Sequence, residues 1–273
     1  MEKAETPVPF MKSGALAGIA DITESFRRVT HWTGLGWYEF AGRYHRTLIG
    51  PFWTSITVSV WILGLGFVFG NLLGDTTSDF LAYVTIGIVL WNYMSATLGG
   101  ATAVFVGNEQ LIVSVNNPLF TFVLRQFVVH GLRLFFQALV LLLVLPWTKI
   151  DYGPVMLLAI PGLVLLLFTS LWVIPLLGIL GARFRDLSFI LNSIMRFLFF
   201  TTPVFWRAES LGRHASVAVF NPFTHFLEIV RAPMLGVAPS LHSWTVVLGI
   251  TTCGAVATLL IYTRFRREIV FWL

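Results

Sequence analysis

Long apolar runs that carry almost no charge constrain this chain more than any other feature of its sequence. Six of them approach or exceed the roughly 20 apolar residues that a helix needs to cross a bilayer. They are Phe52–Leu73, Phe80–Val106, Leu119–Pro146, Pro154–Gly181, Leu187–Trp206 and Leu241–Tyr262. Only 11% of the 273 residues are charged, against about 25% in soluble domains. Because a helix satisfies its own backbone hydrogen bonds in lipid, the sequence predicts an all-α, polytopic membrane protein with six transmembrane helices.

The distribution of Lys and Arg predicts the orientation of these helices. With both termini in the cytoplasm, the inner segments carry eleven Lys and Arg residues and the outer segments carry four. Inner loops of membrane proteins are enriched in these residues, so six spans with both termini inside fit the sequence best. The same rule explains the net charge of +5, and we therefore expect no nucleic-acid partner.

The segment before the first apolar run has the pattern of a helix that lies on the membrane surface. Between Asp21 and Ala41, one stripe of a helix would hold Ile22, Phe26, Val29, Trp37 and Phe40, and the opposite face would hold Glu24, Arg27, Arg28 and His31. Aromatic residues on one face and basic residues on the other favour binding at the interface of the bilayer. Such a helix either anchors the chain or docks a partner, and the pattern alone does not decide between the two.

A second short helix is predicted between the last two runs, in the hairpin segment Asn221–Gly236. Asn221 followed by Pro222 is a helix-start signal, with an Asn cap and Pro in the first helical position. The helix is too short to span the membrane and is expected to stop at Pro233, so we interpret it as a re-entrant or interfacial element on the outer side. Glu228 and Arg231 are three residues apart and are expected to pair, either as a surface ion pair or as a lock on a closed gate.

No catalytic constellation is found in the sequence. No lysine follows a glycine as in the Walker A motif, and the HExxH, GxSxG and CxxC patterns are missing. Cys253 is the single cysteine, so neither a disulfide framework nor a cysteine metal site is expected. We therefore expect a protein that is not an enzyme and that holds no metal or cofactor of its own.

Polar residues within the apolar runs are the candidates for a substrate path. Arg133 lies one turn from Gln137, and Arg196 lies one turn from Asn192. Because charges in a bilayer are unfavourable, these side chains are expected to face protein or water. They either pair internally with carbonyl groups or acids, or line a path for an anionic or phosphate-bearing substrate.

Aromatic residues are the other candidates, and Trp91, Tyr93 and Trp206 are the three that we select. Most Trp residues near span ends form interfacial belts, whereas a minority could stack on sugar rings.

Five motifs occur in a familiar order: GRYHRTLIGPFW, GNEQLI followed by NNP, ARFRDL, TTPVFW and NPFTHFLEIVRAPMLG. With them the chain resembles the membrane subunit, or permease, of type 2 ABC transporters. The resemblance is strongest to those that export O-antigen, capsule or related cell-surface polysaccharides, and it extends from about Tyr38 to Arg266.

The resemblance implies a homodimer in the bacterial cytoplasmic membrane, with two copies of a separate ABC ATPase that binds ATP and Mg²⁺. Residues 1–41 would form a cytoplasmic tail and interface helix, residues 42–266 the transmembrane domain and residues 267–273 a second tail. The ATPase would contact Arg27, Arg28, Asn108, Glu109, Gln110 and Asn116, the last four within the coupling segment Gly107–Pro118. The external gate would include Asn221, Pro222, Phe223, Phe226, Glu228 and Arg231, and the substrate would be an undecaprenyl-linked polysaccharide.

Three other interpretations remain open. Within the same architecture, the chain could export teichoic acid or a lipophilic drug. An ATP-independent channel or secondary transporter is a second possibility, although no inverted repeat is evident. A membrane enzyme that acts on a lipid-linked sugar is the third.

Overall fold

The computed structural model describes residues 15–73, 78–115, 117–148, 150, 153–207 and 216–273, and in this part of the chain all regular structure is helical. The α-helices are α1 (Ala15–Arg27), α2 (Val29–Gly42), α3 (Trp53–Leu73), α4 (Ser78–Ala101), α5 (Glu109–Ser114), α6 (Phe120–Ala138), α7 (Leu141–Val144), α8 (Ala159–Arg183), α9 (Leu187–Thr201), α10 (Ser216–Phe220), α11 (Pro222–Met234) and α12 (Leu241–Trp272). The predicted all-α class is therefore confirmed.

Four stretches of the described chain are long and apolar enough to cross a membrane: Asp79–Ala101, Phe120–Trp147, Pro154–Arg183 and Leu241–Trp272. Two further apolar helices are shorter, namely Gly50–Leu65, which includes the first part of α3, and Leu187–Thr201. At about 1.5 Å per residue, α9 is only about 22 Å long, less than the roughly 30 Å of a bilayer core. Helices thus occupy all six predicted apolar runs, and four of them meet the requirement for a span.

Several helix ends differ from the prediction. The fifth run was expected to continue to Trp206, but α9 ends at Thr201 because Thr202 is extended before Pro203. The sixth was expected to end at Tyr262, but α12 continues to Trp272. Most of the predicted C-terminal tail is therefore the last part of α12.

The predicted single amphipathic helix Asp21–Ala41 was wrong, because the chain changes direction at Arg28. The backbone of Arg28 has φ −88° and ψ 49°, which separates α1 from α2. As a result, the expected apolar stripe does not form one buried face: Phe26, Val29 and Trp37 are exposed, whereas Phe40 is fully buried. The helix α1 packs against α12 and the start of α6, and α2 packs along α6.

Glycines allow α8 to approach closely the turn that follows α4. A Cβ atom added at Gly181 would overlap the carbonyl oxygen of Thr102, and one added at Gly178 would overlap Val104 and Phe105. The small side chains bring the two backbones together at one end of the bundle, where Val104, Phe105 and Ile179 belong to a buried apolar cluster.

This close approach gives glycine substitutions opposite expected effects. Gly181→Ala should lower the free energy of unfolding by about 1–3 kcal/mol, because an overpacked helix contact must separate. Gly131→Ala in α6 has no atom within 4 Å of the added Cβ and should raise it by about 0.5–1 kcal/mol through its helix preference. Thermal unfolding of the purified variants in detergent would measure both. Equal shifts of the same sign would contradict the close contact of α8 with the turn after α4.

Contacts between distant segments define the two ends of the bundle. At one end, the Arg185 guanidinium donates to the Leu273 carbonyl at 2.9 Å, and Arg183 lies 5.2 Å from the ring of Trp272. At the other end, the Asn221 side-chain amide donates to Thr202 at 2.8 Å. The hairpin segment is therefore at the end opposite the C-terminus. The positive-inside rule predicts this end to be the outer one, and the orientation stays a prediction.

Candidate functional site

A wide groove between α3, α4, α6 and α9 is a prominent concave feature of the described residues. It consists of two open cavities of about 760 and 770 Å³, which we call the central groove. The cavities adjoin one another, because six residues line both of them: Trp61, Leu65, Trp91, Ser95, Asn192 and Phe199.

Five of the seven predicted path residues lie in the central groove. Trp91, Arg133, Gln137 and Asn192 line the first cavity, and Arg196 lines the second. These residues come from three helices that are distant in sequence, so the fold brings together the side chains that the sequence singled out separately. Their role in transport stays a prediction.

Tyr93 and Trp206 do not line the groove. Tyr93 is two residues from Trp91, about 200° around a helix, and its hydroxyl lies 2.6 Å from the Ser170 hydroxyl on α8. It lines a separate cavity of about 160 Å³. The indole of Trp206 donates to the carbonyl of Phe200 at 3.0 Å, and this bond holds the turn after α9.

The sequence reasoning overlooked part of the groove. Gln126 and His130, whose side chains are 2.9 Å apart, line it together with Arg43 and Tyr44. The signal for the first two was present, since Gln126, His130, Arg133 and Gln137 recur every three or four residues and so share one face of α6. Arg43 and Tyr44 precede the first apolar run, and only the packing of α2 on α6 places them there.

The hairpin segment begins as predicted. The Asn221 side chain accepts a hydrogen bond from the Phe223 backbone amide at 3.0 Å, and Pro222 occupies the first turn of α11. The helix ends at Met234, one residue beyond Pro233, before Gly236 with φ 78°. The ring of Phe223 packs edge to face on Trp91 at 5.6 Å, which connects the segment to the central groove, and Phe226 is buried.

The expected ion pair between Glu228 and Arg231 was wrong. Glu228 accepts hydrogen bonds from the Ser240 amide at 2.9 Å and the Ser243 hydroxyl at 2.7 Å, at the start of α12. Arg231 donates to the Pro203 carbonyl at 2.6 Å and lies 3.9 Å from the centre of the Tyr83 ring. Each side chain is thus directed to a different neighbour, and a carboxylate at the first turn of α12 also has a favourable interaction with the helix dipole.

Protonation of Glu228 should weaken the contact between α11 and α12. Burial raises the pKa of this carboxyl, but the hydrogen bonds from Ser243 and Ser240 outweigh burial and the pKa is lowered overall. The contribution to stability is therefore complete above the unfolded pKa of about 4.3 and is lost as the pH falls through the lower, folded value. Glu228→Gln should destabilise the protein by about 1 kcal/mol at pH 7, and the difference from the unmutated chain should shrink at acidic pH.

Thermal unfolding from pH 7 to pH 3.5 would measure this dependence. The matched control is Glu24→Gln, because Glu24 forms only an exposed pair with Arg28 and should contribute about 0.5 kcal/mol or less. If Glu228→Gln lowered the stability equally at every pH, the role of the ionised Glu228 carboxylate would be contradicted.

The candidates for contact with the ATPase lie at the end of the bundle opposite the hairpin segment, and most of them are exposed. Arg27 and Arg28 are exposed, and Arg28 pairs with Glu24 at 2.8 Å. Glu109 and Gln110 are exposed on the short helix α5, while the Asn108 amide donates to the Val104 carbonyl at 2.8 Å. Asn116 lies outside the described residues. Leu111, Val113 and Val115 are also exposed here. These apolar side chains, which we did not select from the sequence, form an exposed apolar patch on α5 and the residue after it.

Comparison with known proteins places this architecture in one family. The chain matches the family model described as ABC-2 type transporter over residues 30–235. It is 25% identical over 198 residues to a protein of Myxococcus xanthus named O-antigen export system permease protein RfbA, covering 71% of this chain and 76% of that protein. The family match includes the described lining of the groove, α5 and the hairpin segment up to Leu235. This chain is therefore a multi-pass membrane protein that belongs to the ABC-2 type transporter family.

Proposed function

We propose that this chain is the membrane subunit of an ATP-driven exporter that moves a lipid-linked polysaccharide, such as O-antigen or capsule, across the bacterial cytoplasmic membrane. The observation that carries the proposal is the central groove. Its wall combines Trp61, Trp91 and Phe199 with Ser95 and Asn192. Aromatic faces support sugar rings through apolar contact, and hydroxyl and amide groups exchange hydrogen bonds as a polymer advances.

A processive substrate favours such a wall over a tight binding pocket, because each sugar unit must leave as readily as it enters. A groove on one copy becomes a closed path when it faces the groove of a second copy, so we propose a homodimer. The name of the Myxococcus relative supports O-antigen-like cargo over teichoic acid or a lipophilic drug.

ATP hydrolysis is assigned to a separate ABC ATPase that supplies ATP and Mg²⁺. The proposed docking surface is α5 together with the exposed basic residues Arg27 and Arg28 on the same end of the bundle. Closure of the ATPase would shift the permease between closed and open states, which requires a difference in binding free energy between those states.

Dependence on an ATPase gives the next prediction. An ATPase with a Walker A motif should co-purify with this chain from its native membrane. The variant Val113→Asp on α5 should reduce the amount recovered by about tenfold or more, since a charge would enter an apolar contact. Val237→Asp, in the exposed connection between α11 and α12, serves as the control for the added charge. Flux through the purified chain in the absence of any ATPase would instead favour a channel.

A further inference from the structure

One corner of the central groove carries positive charge without a matching negative charge. Arg43 and Arg133 both line it, next to Tyr44, Gln126 and His130. No Asp or Glu belongs to the described lining of this cavity. Among the described residues, Arg133 has neither a hydrogen bond nor an ion pair, although it is half-buried.

The nearest carboxylate is already shared. Glu39 pairs with Arg43 at 2.8 Å and with Arg125 at 2.7 Å. One acid therefore serves two guanidinium groups, and Arg133 adds a third cation beside Arg43. Like charges that are close together and partly removed from water repel one another, so this corner of the groove is best stabilised when an anion enters it.

This corner of the groove lies close to the start of the first apolar helix. The first apolar helix begins at Trp53, and the residues around this point contact Phe136 of α6: the Phe52 ring packs on the Phe136 ring at 5.4 Å, and the Ser55 hydroxyl donates to the Phe136 carbonyl. Arg133 is three residues, or about 4.5 Å, closer to the inner end of α6 than Phe136. Arg133 therefore lies near the level at which the first apolar helix begins.

We propose that Arg43 and Arg133 form a binding site for a phosphate or diphosphate group at the inner mouth of the central groove. Two guanidinium groups offer fork-shaped donors that fit phosphoryl oxygens. The Tyr44 hydroxyl and the Gln126 amide, which line the same corner, are further possible donors. The aromatic wall at Trp61 and Trp91 lies farther along the groove, so a molecule with an anionic head at the mouth would have its remaining part against the aromatic side chains.

The inference rests on the proposed function, because the site belongs to the same groove and would recognise the phosphate of a lipid-linked cargo. A lipid headgroup and a free anion would both present the phosphoryl oxygens that this site is proposed to bind. A binding assay on the full chain needs neither an ATPase nor a polymer, so its failure is separate from a failure of export.

The test is equilibrium binding of radiolabelled farnesyl diphosphate to the full chain in phosphatidylcholine nanodiscs, with inorganic pyrophosphate and farnesol as competitors. We expect farnesyl diphosphate to bind saturably, and we expect farnesol not to compete for the site. Arg133→Gln and Arg43→Gln should each weaken binding by about tenfold or more, Arg133→Lys should retain part of it, and Arg264→Gln, an exposed charge elsewhere, should leave it unchanged. If pyrophosphate competes as strongly as unlabelled farnesyl diphosphate, the site binds a free anion. If pyrophosphate competes only weakly, the site binds a lipid headgroup.

A thermal-unfolding measurement without ligand separates this role from a structural one. Arg133→Gln should unfold at the same or a higher temperature, because it removes repulsion with Arg43. If that variant fails to fold, Arg43→Gln decides the test, since its side chain is 44% exposed. The proposal would be overturned if the chain did not bind farnesyl diphosphate, or if the folded Gln variants bound it as tightly as the unmutated chain. It would also be overturned if farnesol competed as strongly as unlabelled farnesyl diphosphate.

Discussion

Asp21→Ala is expected to lower the free energy of unfolding by about 3–5 kcal/mol, because it leaves a buried guanidinium without its carboxylate. Asp21 is 5% exposed and lies 2.9 Å from Arg266 of α12, whose side chain is 7% exposed. Its carboxylate also accepts hydrogen bonds from the Leu119 and Phe120 amides at 3.2 and 3.0 Å and from the Tyr262 hydroxyl at 2.6 Å. One side chain thus joins α1 to the start of α6 and to α12.

Thermal unfolding of the purified chain would measure this loss, with Glu24→Ala as the matched control. Glu24 lies on the same helix in an exposed pair with Arg28, which should contribute less than about 1 kcal/mol. The double variant Asp21→Asn with Arg266→Met should recover part of the loss, since the unpaired charge is removed. Similar small effects of Asp21→Ala and Glu24→Ala would show that the network does not hold the three helices together.

Ser95→Trp is expected to reduce polysaccharide export to the level of cells that lack the chain. Ser95 lines both cavities of the central groove, so an indole at this position would obstruct the groove where the two cavities join. The rim is open, so the new ring has room and the folded state should change little in stability. Export would be measured as polymer at the cell surface, alongside the amount of the variant in the membrane.

Thr252→Trp provides the control for this block. Thr252 is exposed on α12 and does not line the groove, so the same indole added there should leave export intact. Normal export by Ser95→Trp at normal abundance would exclude the groove as the substrate path.

The features that the sequence predicted well depend on local chemistry. Asn221 and Pro222 start a helix because an Asn side chain can cap it and Pro suits its first turn. The apolar runs became helices because each is long and its backbone must be satisfied internally. The groove residues Arg133, Gln137, Asn192 and Arg196 were found because polar groups in apolar runs need partners or water.

The features that it missed depend on contacts between distant segments. The break at Arg28 has no Gly or Pro to signal it, and it follows from α1 and α2 packing on different neighbours. Spacing on one helix predicted the pair of Glu228 and Arg231, but Ser243 and Pro203 bind these side chains instead. The buried role of Asp21 depends on residues about 100 and 240 positions away, a separation that periodicity within one helix does not report.

The location of the lipid-linked polymer in cells that lack this chain tests the proposed function most directly. Polymer would be measured separately at the cell surface and on the cytoplasmic side of the membrane after deletion of the chain, and again after it is supplied on a plasmid. We expect the polymer to accumulate on the cytoplasmic side, still attached to its lipid, and to return to the surface when the chain is restored. A normal amount of polymer at the surface of the deleted cells would contradict a role for this chain in polysaccharide export.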